Sequence, residues 1–109
     1  MLEPYRVLDT CGRNGWLAGF LLAQLGAEVI LVEPPGGHPR DHWFAAYNRG
    51  KTSVTAAGPE ELARLAAGVD LVIADGSPAD VAFLDRLRAA DPTLVTLALD
   101  SDAVRLAVE

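Results

Sequence analysis

Arg6-Val7-Leu8-Asp9-Thr10-Cys11-Gly12-Arg13-Asn14-Gly15 runs into Trp16-Leu17-Ala18-Gly19-Phe20-Leu21-Leu22-Ala23-Gln24-Leu25-Gly26, and shortly after comes Val29-Ile30-Leu31-Val32-Glu33. The first apolar run, Val7-Leu8, is short and leads into a loop whose glycines permit turn geometries closed to other residues. Leu17, Phe20, Leu21, Gln24 and Leu25 then recur at helical spacing, and Gly26 stands where a helix C-cap commonly lies. A helix from about Trp16 to Leu25 is expected. Val29 to Val32 is apolar throughout and mostly β-branched, as suits a parallel strand covered on both faces, and Glu33-Pro34-Pro35-Gly36-Gly37 ends it. Strand, glycine loop, helix and strand make a βαβ unit with a right-handed crossover.

The same alternation continues outward. Between Gly36 and Lys51 prolines, glycines, aromatics and charges mix without either period, which predicts a long surface loop with one short helix near Phe44. Thr52 to Thr55 reads as a short strand. Gly58-Pro59-Glu60-Glu61 marks a helix start with acids in the first turn, and Leu62, Leu65 and Ala66 supply its buried stripe. Leu71 to Ala74 repeats the buried-strand pattern, Pro78 to Ala90 reads as a helix through Val81, Leu84 and Leu87, and Leu94 to Leu99 gives another strand. In the tail, Ser101 to Glu109, the alternation of Val104, Leu106 and Val108 suits a strand while the alanines and charges suit a helix, so both readings stay open. The expected fold is α/β and Rossmann-like: a mostly parallel sheet with helices on both faces, one domain over residues 1–109.

At 109 residues the chain has room for one core, and 50% of its residues are hydrophobic. Its net charge of −6, with the acids scattered, argues against nucleic acid or an anionic membrane as partner. A single cysteine, Cys11, allows no internal disulfide and no paired zinc motif, which fits a reducing cytoplasm. No run approaches the roughly 18 apolar residues of a membrane span, and Met1-Leu2-Glu3-Pro4 has no signal-peptide pattern, so a soluble, unprocessed chain is expected.

Several groups offer chemistry, each with a plainer reading beside it. Gly12, Gly15 and Gly19 follow a strand and enter a helix, where backbone N–H groups and the helix dipole suit a phosphate; the spacing is not G-x-G-x-x-G, and Gly19 more simply permits close packing. Glu33 closes the second strand about where dinucleotide-binding folds hold a ribose; an exposed strand-end acid is the alternative. Asn48-Arg49-Gly50-Lys51 gathers an amide, a guanidinium and an ammonium as donors for phosphate or carboxylate, with solvated loop charge as the alternative. His38, Arg40 and His42 add cationic or potentially cationic groups upstream. Pro39 disfavours a helix that would align His38 and His42 as metal ligands, so no metal is expected. Cys11 has no histidine nearby in sequence and reads as a small buried side chain.

Taken together, Arg6-Val7-Leu8-Asp9, Leu25-Gly26-Ala27-Glu28-Val29-Ile30, Val32-Glu33-Pro34-Pro35-Gly36-Gly37 and Asn48-Arg49-Gly50-Lys51-Thr52-Ser53 resemble family III CoA-transferases, in order and in spacing, from about Pro4 through Leu99. That family includes formyl-CoA and carnitine CoA-transferases and the α-methylacyl-CoA racemases. The resemblance implies a CoA-binding N-terminal lobe with coenzyme A or acyl-CoA as ligand. It brings Gly15, Glu33, Pro34, Arg40, Asn48, Arg49 and Lys51 to that ligand, with the turn beyond Val32 and the loop at Lys51 on one rim of the sheet.

The chain departs from the family pattern in three places. Asn14-Gly15-Trp16 stands where the family commonly has Ala-Gly-Pro. Ala74-Asp75-Gly76-Ser77-Pro78-Ala79 replaces Glu-Asn-Phe-Arg-Pro-Gly, losing the aromatic and the arginine and adding an acid, Asp75, that repels phosphate. The family's catalytic aspartate, which carries acyl-anhydride and thioester intermediates, comes well beyond this region, so no catalytic residue is assigned. Family members also form interlocked dimers through later segments, and the protein partners implied are a second copy or the C-terminal part of a longer enzyme. Transfer of CoA between an acyl-CoA and a carboxylic acid would need those segments. The alternatives are a noncatalytic module whose glycine loop and Trp16 pack against a partner, and a dinucleotide- or adenosyl-cofactor domain using Gly12, Gly15 and Glu33.

Overall fold

The computed structural model describes residues 1–56 and 58–99. Its elements are β1 (Arg6–Asp9), a single 3-10 turn (Arg13–Gly15), α1 (Trp16–Gln24), β2 (Glu28–Glu33), α2 (His42–Tyr47), β3 (Thr52–Thr55), α3 (Pro59–Ala66), β4 (Leu71–Asp75), α4 (Pro78–Ala90) and β5 (Val95–Leu99). The strands form one sheet in the order β3-β2-β1-β4-β5, every pair parallel. The α/β, parallel-sheet expectation therefore holds, and the short helix near Phe44 is α2. Residues 101–109, left open between strand and helix, lie outside the described residues. No described helix is long and apolar enough to cross a membrane.

Strand alternation sorts the core into two layers. Val7 of β1, Val29 and Leu31 of β2 and Ile73 of β4 face α1 and α2, packing with Trp16, Leu22, Ala23, Phe44 and Tyr47. Their neighbours Leu8, Val32, Val72 and Ala74 face α3 and α4, packing with Leu62, Ala66, Leu84 and Leu87. The central strands are buried on both faces, which is why they read as continuous apolar runs. The helices start where their capping chemistry dictates: Asp41 accepts from the Phe44 N–H at 3.0 Å, Ser77 accepts from the Asp80 N–H at 3.1 Å, and Pro59 and Pro78 occupy first-turn positions.

One expectation is overturned. Thr52 pairs with Ile30 and Thr55 with Glu33, so Asn48–Lys51 enters β3 from the amino ends of the strands, whereas the Glu33–Gly37 turn leaves from their carboxyl ends. The reason is the parallel arrangement itself: a segment preceding one strand and a segment following its parallel neighbour lie on opposite rims.

Candidate functional site

At the carboxyl rim a cavity of about 450 Å³ opens, walled by Thr10, Cys11 and Gly12 after β1, by Val32, Glu33 and Pro34 at the end of β2 together with His38, by Ala56 after β3, and by residues of α3 and α4. The sheet order reverses direction between β1 and β4. Ligands of open α/β sheets bind in the crevice outside the strand carboxyl ends at such a switch point. The cavity floor is apolar, through Val32, Pro34, Ala56, Leu62 and Phe83, and its α4 wall carries Asp80 and Arg86. Ala79, Phe83 and Arg86 recur at helical spacing, so one face of α4 is presented to the cavity. That period is the signal by which Arg86 can be found from sequence. Among the described residues Arg86 has no ion-pair partner.

Glu33 is buried to 3% exposure and is held by Arg40, whose guanidinium engages both carboxylate oxygens, Nη2 donating to Oε2 at 2.8 Å; the His38 N–H adds a bond of 2.9 Å to Oε1. The hydrogen bonds from Arg40 are the main reason that the Glu33 carboxyl is pulled down to about 2 against the opposing effect of burial. Arg40 also lies over the Phe44 ring, 4.0 Å from its centroid. A carboxyl whose value is lower in the folded than in the unfolded chain stabilises the fold fully above its unfolded value and ceases to do so as pH falls through its folded one. Stability should therefore drain away from about pH 4 to about pH 2. Arg40→Gln should move the onset of acid unfolding upward in pH, as read by circular dichroism.

The loop after β1 is held by carboxylates. Asp9 accepts from the Cys11 N–H at 3.0 Å and Asp75 accepts from the Gly12 N–H at 2.9 Å. The Gly15 N–H bonds to the Gly12 carbonyl at 3.0 Å. These donors, which a phosphate-binding loop offers to its ligand, are thus engaged within the chain. Gly15 is required by close approach: a Cβ there would stand 2.6 Å from Cys11 Cβ and 2.7 Å from Sγ. Cys11 is buried, and that burial, followed by Asp9 and Asp75, drives its thiol pKa well up, so it is an inert packing residue. Trp16 is 3% exposed, its Nε1–H bonded to the Cys11 carbonyl at 3.1 Å and its ring edge-on to His38 and Phe44. The expectation that Trp16 packs against a partner is corrected: the indole is consumed by this chain's own core, on the α1 side of the sheet.

Lys51 and Asp9 form an ion pair at 2.8 Å with both side chains wholly buried. The remaining Lys51 donors go to the Trp16 carbonyl at 3.0 Å and Asn48 Oδ1 at 2.8 Å. Gly19 of α1 lies directly over the pair, since a Cβ there would overlap Asp9 Oδ2 and stand 3.0 Å from Lys51 Nζ. Asn48 is buried as well, and Arg49 is exposed at the amino rim. Of the residues expected at one ligand, the structure brings Glu33 and Pro34 to the cavity wall, with Arg40 behind Glu33 and Gly15 inside the adjoining loop. It takes Asn48 and Lys51 into the interior and leaves Arg49 on the far side. Lys51, read as a donor to a ligand's phosphate or carboxylate, instead has its three N–H groups satisfied inside the core by Asp9, the Trp16 carbonyl and Asn48.

The sequence matches the model of CoA-transferase family III over residues 2–101. A probable fatty acyl-CoA transferase of Mycobacterium tuberculosis, Rv3272, is 37% identical over 117 aligned positions covering 86% of this chain and 30% of the relative. A crystal structure of Rv3272 superposes with a TM-score of 0.81 at 37% identity, covering 92% of this chain and 33% of that one. A CAIB/BAIF family protein from Brucella suis superposes with a TM-score of 0.78 at 30% identity, covering 89% of this chain and 32% of that one. The chain spans about a third of the length of these relatives.

Proposed function

The chain belongs to CoA-transferase family III, and from that premise we propose that it is a coenzyme A-binding lobe whose ligand occupies the carboxyl-rim cavity. The observation that supports this reading is the pairing, in one cavity of about 450 Å³, of an apolar floor with an arginine that no carboxylate among the described residues claims. A nucleotide base packs on apolar and aromatic side chains, here Val32, Pro34, Ala56, Leu62 and Phe83, and Arg86 supplies charge-assisted hydrogen bonds to phosphate oxygens. Glu33 is neutralised by Arg40, which keeps its charge from repelling those phosphates. Asn48 and Lys51 act from beneath, by holding Asp9 and through it the loop that walls the cavity.

In this reading the ligand is CoA or acyl-CoA, and transfer of CoA to a carboxylic acid requires further polypeptide that carries the family's aspartate. A dinucleotide reading is disfavoured because the loop N–H groups are taken by Asp9 and Asp75, and because Glu33, its ribose-binding candidate, is held by Arg40.

Calorimetric titration with CoA tests the proposal. Binding is expected, and Arg86→Ala should weaken it by about tenfold to a hundredfold, the worth of a hydrogen bond to a charged group. The melting temperature should stay put, since Arg86 is exposed. Absence of heat at millimolar CoA, an affinity indifferent to Arg86, or tighter binding of a nicotinamide dinucleotide would each refute the reading.

A further inference from the structure

One row of side chains on α4 gives the cavity wall an order of its own. Asp80, Phe83 and Arg86 all line the cavity and stand three residues apart in sequence. Such a row runs along the helix surface, and at ~1.5 Å of rise per residue it sets an acid, an aromatic ring and a cation at steps of about 4.5 Å along the axis, roughly 9 Å from first to last.

Both ends of the row are uncommitted. Arg86 is exposed, and neither it nor Asp80 has an ion pair among the described residues. Asp80 gives its backbone N–H to Ser77 Oγ at 3.1 Å, which caps the helix and leaves the carboxylate unengaged. Glu33, the other carboxylate on the wall, is already held by Arg40 and by the His38 N–H. Asp80 is therefore the acid on this wall that can meet a ligand.

A carboxylate beside an apolar floor is stabilised by an N–H or O–H donor and destabilised by a second acceptor set against it. An adenine nucleotide presents groups in the order of the row: a phosphate, a flat ring and, beyond the ring, an exocyclic amino group. With its phosphate on Arg86 and its ring against Phe83, the amino edge falls at Asp80. A 6-oxopurine in the same pose sets a carbonyl oxygen there, and two acceptors then face each other without a proton between them. A site built to hydrogen-bond one group rejects the analogue that lacks it.

We propose that Asp80 is a specificity-determining residue, accepting from the exocyclic amino group of the ligand's base and so selecting adenine over a 6-oxopurine. This rests on the reading that the carboxyl-rim cavity holds CoA. An acid in a helix's first turn also suits the helix dipole, but that role is indifferent to the base.

Calorimetric titration of the intact chain with CoA, and with its deaminated analogue in which hypoxanthine replaces adenine, provides the test. CoA should bind at least about tenfold tighter, the worth of one hydrogen bond to a charged group. Asp80→Asn should bring the two affinities within about threefold of each other, because an amide can accept from the amino group or donate to the oxo group. Asp80→Ala should close the gap by losing CoA affinity; if it folds poorly by circular dichroism, the isosteric Asp80→Asn carries the test. Arg86→Ala should weaken both ligands alike and keep their ratio. Equal binding of the two ligands by the parent chain, or a preference that survives substitution of Asp80, overturns the inference and leaves CoA binding standing. Failure of both ligands to bind removes this inference together with the functional reading beneath it.

Discussion

Lys51→Met is expected to be the most damaging single change in the chain. It leaves the Asp9 carboxylate wholly buried without its cation and strips the Trp16 carbonyl and Asn48 Oδ1 of their donor. Breaking a buried pair from one side costs about 3–5 kcal/mol. That is a large part of the ~5–15 kcal/mol that holds a domain together, and for a domain of this size it lowers the melting temperature by roughly 15–30 °C. The double variant Asp9→Asn/Lys51→Met should recover at least half of the loss. Replacing both members removes the stranded charge, while the amide oxygen introduced in place of the Asp9 carboxylate still accepts from the Cys11 N–H. A thermal melt of the two variants decides the matter: a Lys51→Met protein melting within a few degrees of the parent would mean that Asp9 is not confined as described.

Gly19→Ala is the second large effect, and its sign opposes intuition. On an open helix surface this change stabilises by about 1 kcal/mol. Here the new methyl group would overlap Asp9 Oδ2 and stand 3.1 Å from its Cγ. Asp9 has no room to yield, since one oxygen is tied to the Cys11 N–H and the other to Lys51. The helix must move instead, and overpacking of this kind costs about 1–3 kcal/mol. A net loss is expected in the melt. CoA affinity should fall with it, because displacing α1 displaces the loop of Thr10, Cys11 and Gly12 that walls the cavity. A Gly19→Ala protein more stable than the parent would contradict the packing.

Most of the architecture is legible in the residues because it rests on periodicity. Val29–Val32 and Leu71–Ala74 are continuous apolar runs for the reason that both faces are covered, and Pro78 begins its helix because Ser77 caps it. What the residues hide is partnership across the sheet. Asn48-Arg49-Gly50-Lys51 looks like a set of donors for solvent or ligand, and nothing local reveals that Lys51 turns inward. The clue lies elsewhere: Asp9, two residues on from Val7, shares its face, which puts a carboxylate on a covered face of a central strand, and such a group demands a cation. The parallel order, once read, likewise requires the Glu33 turn and the Lys51 segment to part company. Arg86 escapes a reading of α4 that follows only its buried stripe, because the face that the helix offers to the rim carries a separate period.

Strand β5 closes the sheet on one side with Val95-Thr96-Leu97-Ala98-Leu99, and neither a charge nor a proline interrupts it. Natural sheets usually guard such a border with lysine, proline or a bulge. Among the described residues no strand pairs with the outer edge of β5, and two of its side chains, Val95 and Leu97, are 60% and 43% exposed. An edge of this kind offers its backbone groups to any extended segment laid beside it, which makes β5 the side on which sequence changes should bear most on self-association.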